Sequence, residues 1–162
     1  MLDALAAQDV TFLPFLPDGV LAPLIDRASV RAEFTPIPVT REEEGVAIAA
    51  GMHLAGQRSA FLMQVSGLGN SLNVLGSLVL AQRIPLLMFV TERGGLGETV
   101  ATQIPFGGAA PRVLDAVGIS HFDLSRSEDV DDVVSGAVEL AFVSRAPVAV
   151  MITAQLSMER AA

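Results

Sequence analysis

Three short, almost unbroken apolar runs, at residues 59–65, 84–90 and 147–152, constrain this chain more than any other feature. A strand with water on one face alternates apolar with polar residues. A strand that is apolar throughout must be covered on both faces, as in a parallel sheet held between two layers of helices. Between and around the runs lie segments with helical character: 40–54, 70–80, 110–117 and 128–144. Residues 10–16 and 120–124 read as further strands. Residues 34–39 also look extended, but Pro36 and Pro38 have no N–H to give to a ladder, which sends that strand to an edge. The expected fold class is α/β: a three-layer sandwich with a mostly parallel sheet and helices on both faces, in a single domain over residues 1–162.

Charge and composition exclude several functions. The formal net charge is −8, from 10 basic and 18 acidic residues, which leaves no basic footprint for nucleic acid. Trp and Tyr are absent, so a base-stacking platform is unexpected. The absence of Cys removes disulfides, thiolate metal sites and a cysteine nucleophile together. Asp3 interrupts the first apolar turn and no basic region precedes it, unlike a secretory signal. The longest apolar stretch, 72–90, is broken by Gln82, Arg83 and Pro85, too early for a membrane span. A cytoplasmic protein is the expectation.

Two segments carry chemistry. Arg41-Glu42-Glu43-Glu44-Gly45 opens the helix of 40–54, which continues with small apolar residues to Gly51. Thr40 and Glu43 have the spacing of a capping box, and three acids in a first turn suit the helix dipole. A helix apolar on nearly every side also leaves at least one of these carboxylates bordering a buried environment, where it can share a proton with a ring nitrogen. Helical projection does not choose among the three. The second segment, Ser66-Gly67-Leu68-Gly69-Asn70, follows the run 59–65 directly. It lacks the Lys of a P-loop, the spacing of a dinucleotide fingerprint and the surroundings of a hydrolase Ser elbow. Taken alone it is a strand-to-helix turn in which glycine supplies positive φ.

In combination the pieces are specific. Val39-Thr-Arg-Glu-Glu-Glu-Gly, Ala50-Gly-Met-His-Leu-Ala, Met63-Gln-Val-Ser-Gly-Leu-Gly-Asn-Ser, Arg83-Ile-Pro-Leu-Leu and Arg93-Gly, in this order, resemble the pyrimidine-binding domain of thiamine-diphosphate-dependent 2-oxoacid decarboxylases. The likeness is strongest to the members acting on sulfopyruvate and phosphonopyruvate, and weaker similarity extends over nearly the whole chain. The resemblance implies a glutamate bonded to N1′ of the cofactor's aminopyrimidine. Matching the family's later glycine to Gly51 assigns that role to Glu42, with Glu43 the fallback. It further implies that Ser66, Gly67, Leu68, Gly69 and Asn70 approach the cofactor, and that Arg93 and Gln103 face an anionic substrate.

The family's diphosphate and Mg²⁺ are held by a second domain with a Gly-Asp-Gly motif, which this chain lacks. The resemblance therefore implies half an active site. Thiamine diphosphate would be shared with a separate β subunit that holds most of the diphosphate and the metal, in a hetero-oligomer. The expected activity is an α subunit's share in converting sulfopyruvate to sulfoacetaldehyde and CO2. Phosphonopyruvate or another 2-oxoacid is the alternative substrate, and a non-catalytic thiamine-diphosphate-binding domain the alternative role.

Overall fold

A computed structural model describes residues 1–153 and Leu156. The remaining C-terminal residues of the expected domain lie outside this description.

The elements alternate as the apolar runs require. Helix α1 (Leu2–Ala7) leads to β1 (Val10–Phe15), α2 (Ala22–Ser29), β2 (Thr35–Pro38), α3 (Glu42–Leu54), β3 (Arg58–Gln64) and α4 (Val65–Val74). Then follow β4 (Leu86–Thr91), α5 (Ile104–Gly107), α6 (Ala110–Val117), β5 (Ser120–Leu124), α7 (Val130–Ser144) and β6 (Pro147–Ile152). The six strands form one sheet in the order β2-β1-β3-β4-β6-β5, and every pairing is parallel. The proline-bearing β2 lies on an edge, as its missing donors demand.

The central strands supply both cores by simple alternation. Along β3, Ala60 and Leu62 face one core with α1, α2 and α7, while Phe61 and Met63 face the other with α3, α4 and α6. In β4, Leu87 and Phe89 join the first core, and Leu86, Met88 and Val90 the second. All six residues of β4 and all six of β6 are buried, which explains runs with no polar alternation. Edge strand β5 shows the contrast, with only Leu124 buried.

Several local expectations are corrected. Ser66 to Gly69 do not form a turn, because α4 begins at Val65 and both Gly67 and Gly69 are helical. Neither has positive φ, which among the described glycines occurs at Gly56, Gly94, Gly97 and Gly118. Helix α3 starts at Glu42, with Arg41 as N-cap, so the Thr40–Glu43 capping box does not form. Instead the Thr40 N–H donates to Glu44 Oε2 at 2.9 Å, and its hydroxyl lies 3.1 Å from the same oxygen. The helix 70–80 is also not uniform: α4 passes at Leu75 into a π-helical stretch, Leu75–Leu80. There, bonds such as Ala81 N–H to Gly76 O close the wider ring. The irregular stretch 91–108 contains a 3-10 turn, Ala101–Gln103, and α5.

Candidate active site

The sheet's carboxyl edge is built around a change of direction. From β1 the chain turns into α2 on one face, and from β3 it turns into α4 on the other. Connections that part in this way open the crevice in which parallel α/β sheets take ligands. Polar side chains line the edge across three strands. Asp18, just after β1, accepts the N–H of Val20 at 2.9 Å and of Leu21 at 3.2 Å, capping the turn into α2. Its other oxygen accepts Gln64 Nε2 at 3.2 Å, and Ser66 Oγ donates to Gln64 Oε1 at 3.2 Å. The buried Thr91 hydroxyl lies 3.4 Å from Asp18 Oδ1.

The three glutamates of α3 are separated by their surroundings. Glu43 pairs with Arg41 at 2.8 Å, and this bond holds its carboxyl below the usual range. Glu44 is lowered too, chiefly by the Thr40 backbone N–H. Both are solvated pairs of the kind that helix starts commonly carry. Glu42 is only 7% exposed and points the other way, across to α4. Asn70 Nδ2 donates to its Oε2 at 3.0 Å. A Cβ on Gly67 would lie 2.3 Å from Glu42 Cγ and 2.6 Å from Oε1, so the bare glycine backbone makes the space the carboxylate occupies. That is the reason for glycine here: close approach, where the sequence suggested backbone conformation. Among the described residues Oε1 accepts no hydrogen bond.

The other expected residues divide. Ser66 and Asn70 are exposed at the rim, whereas Leu68 is fully buried in the core. Gly69 faces the Phe106 ring, which a Cβ there would meet at 3.0 Å. Arg93 is engaged by Glu98, with its Nε and Nη2 donating at 2.7 and 2.9 Å. Glu98 also accepts the N–H groups of Gly94 and Val100. These bonds, that from Arg93 foremost, pull its carboxyl down to about 2. Gln103 is half-buried, and its backbone oxygen lies 2.5 Å from where a Gly94 Cβ would stand. Arg93 and Gln103 thus belong to one folded loop, joined through Gly94 beside the Gln103 carbonyl, while Glu42, Gly67 and Asn70 meet at the start of α4.

Sequence reasoning missed Glu98, Phe106 and Gln64. Only Glu98 left a trace, as one of two acids, with Glu92, in the glycine-rich stretch 91–108. Glu92, at the exit of β4, carries a carboxyl raised first by burial and then by the charge of Asp123.

The chemistry of this donor set suits a nitrogen heterocycle. A buried carboxylate with one oxygen taken and the other free can hold a proton on a ring nitrogen. Among the described residues no three His, Asp or Glu side chains gather as a metal site. No helix among them is long and apolar enough to cross a membrane.

Comparison with known proteins agrees with this chemistry. Residues 1–104, which include the whole crevice, match the family described as thiamine pyrophosphate enzyme, N-terminal TPP binding domain. The sulfopyruvate decarboxylase subunit alpha of Methanococcus maripaludis is 36% identical over 151 residues, 93% of this chain and 90% of that one. Its namesake from Methanocaldococcus jannaschii is 34% identical over 152 residues, covering 94% and 90%. Among solved structures, a 2-oxoglutarate:ferredoxin oxidoreductase from Magnetococcus marinus superposes with a TM-score of 0.79 over 95% of this chain. At 17% identity, and with this chain spanning 28% of that one, the likeness is one of fold. The chain belongs to the thiamine pyrophosphate enzymes, built on their N-terminal TPP binding domain.

Proposed function

We propose that this chain is the α subunit of a decarboxylase that converts sulfopyruvate to sulfoacetaldehyde and CO2, acting as a single pyrimidine-binding domain over residues 1–162. The observation that carries the reading is the placement of Glu42. Of three adjacent carboxylates it alone is buried, and it stands against Gly67 and Asn70 in the crevice of a thiamine-diphosphate fold. Similarity to sulfopyruvate decarboxylase α subunits over nine-tenths of their length supports the substrate.

Bound thiamine diphosphate supplies a nucleophilic carbon and an electron sink, so that the substrate carboxylate leaves as CO2 and a proton takes its place. The chain's residues bind and orient. Glu42 Oε1 holds the proton shared with the pyrimidine N1′. Gly67 makes room for the Glu42 carboxylate, and the rim at Ser66 and Gly69 bounds the ring. Arg93 and Gln103 sit on the loop beside the crevice, from which they would face the anionic end of the substrate. For Arg93 this requires release from Glu98.

Mg²⁺ and the diphosphate belong to a β subunit in this reading, in a cytoplasmic hetero-oligomer. The resemblance supports that division of labour, as does the α designation of the relatives. The test is co-expression with the candidate β chain and assay of CO2 release. Sulfopyruvate should turn over faster than phosphonopyruvate, and Glu42→Gln should lower turnover by about 10²–10⁴-fold with assembly intact. Near-parental turnover by that variant would refute the assignment of Glu42. Preference for phosphonopyruvate would correct the substrate.

A further inference from the structure

Gly67 and Asn70 are three residues apart on α4 and so lie on one face of it. That face meets Glu42 twice. Gly67 presents bare backbone to the Glu42 stem and Oε1, and Asn70 presents its amide to Oε2. Glu43 and Glu44 find partners on their own side, in Arg41 and Thr40. Among the described residues, only Glu42 of the three is tied to a second helix, and Asn70 is the tie.

We propose that Asn70 is a positioning residue for Glu42. Its amide occupies Oε2 and fixes the plane of the carboxylate, so that Oε1 is the oxygen offered to the ring nitrogen of the cofactor. This rests on the proposed thiamine-diphosphate site and deepens it: Asn70 acts on the carboxylate rather than on the ligand. Two features support the assignment. An amide nitrogen can only donate, so it secures a carboxylate without competing for the proton that Oε1 must hold. Moreover, Asn70 is exposed and makes no other side-chain bond among the described residues, so structural support elsewhere does not explain the contact.

The test uses the chain assembled with its β subunit and reads binding by calorimetry, with no turnover involved. Two ligands are compared: thiamine diphosphate, and its analogue with C–H in place of N1′. Asn70→Ala removes the tie, and Asn70→Asp keeps its size while replacing the donor with a like charge. Both should weaken thiamine diphosphate by about tenfold, the scale of a hydrogen bond to a charged group, with Asp worse than Ala. Neither should change affinity for the analogue by more than about twofold, since that ligand does not use Glu42.

Glu42→Gln is measured in parallel. If it loses the preference for thiamine diphosphate over the analogue while both Asn70 variants keep it, the positioning role is overturned and the site reading stands. If the Asn70 variants weaken both ligands equally, Asn70 touches the ligand or supports the fold, and the proposal also falls. If Glu42→Gln itself keeps the preference, the site reading fails and the proposal fails with it.

Discussion

Glu42 reaches its position because nothing stands where the side chain of residue 67 would be. Gly67→Ala therefore has a directed effect. The new Cβ would lie 2.3 Å from Glu42 Cγ, and the group that must yield is the carboxylate stem itself. Misplacement by about an ångström costs roughly 100-fold in turnover, which is the expected loss, with the circular dichroism spectrum unchanged. Gly51 is the control. It lies inside α3 with no atom beyond its own helix within 4 Å of where a Cβ would stand, so Gly51→Ala should raise stability by about 0.5–1 kcal/mol in urea unfolding and leave turnover alone. In the sequence Gly67 is expected to supply positive φ and to approach the cofactor, while Gly51 serves only to match the family motif. A requirement for positive φ and one for close approach select the same residue, and the difference lies in what faces it from another helix. Spacing within α3 left the choice among the three glutamates open for the same reason, since burial of Glu42 depends on α4; only the family resemblance pointed to Glu42.

At the scale of elements, the stretch between β4 and α6 is a folded strap. Arg93 and Glu98 close its base, the Gly94 position fits against Gln103 and Ile104, and a Cβ on Gly107 would strike the Arg93 carbonyl at 2.0 Å. Phe106 then lies over Gly69, on the helix that carries Asn70. The Glu98 carboxyl is lowered to about 2, so its ionised form is favoured by the fold. Its contribution is complete above the unfolded value of 4.5 and is lost as pH falls through about 2. Glu98→Gln removes that dependence. Between pH 4.5 and 2 the parent should lose stability more steeply than the variant, and at neutral pH the Gly94 and Val100 amides should exchange hydrogen faster in the variant. Equal acid slopes and equal exchange would show that the tie does not hold the strap. Little of this was visible in the sequence. Glycines at 94, 95, 97, 107 and 108 announced irregular backbone, but the short helix at Ile104–Gly107 and the ion pair across five residues arise from contacts that composition does not encode. The π-helical continuation of α4 was equally hidden, because an apolar run has no period from which to read a wider turn.

For the molecule as a whole, the apolar runs were sufficient. Strands buried throughout require helices on both faces, and β4 and β6 have that environment in full. The same rule makes the two cores independent levers, because neighbouring residues of β3 enter different ones. Phe61 lies against Gly45 of α3, one turn beyond Glu42, where an added Cβ would come within 2.2 Å of the ring. Leu62 enters the opposite core with α1, α2 and α7. Phe61→Ala should cost about 3–5 kcal/mol and Leu62→Ala about 2–5 kcal/mol in urea unfolding, so stability alone does not distinguish them. Binding does. With the Phe61 ring removed, α3 loses the surface that sets its height over the sheet, and Glu42 moves relative to Gly67 and Asn70. Thiamine diphosphate binding by the assembled enzyme, measured well below the unfolding transition, should therefore weaken in Phe61→Ala and stay near parental in Leu62→Ala. Equal weakening in both would mean that the site senses overall stability, and that the α3–β3 contact has no special part in placing the carboxylate.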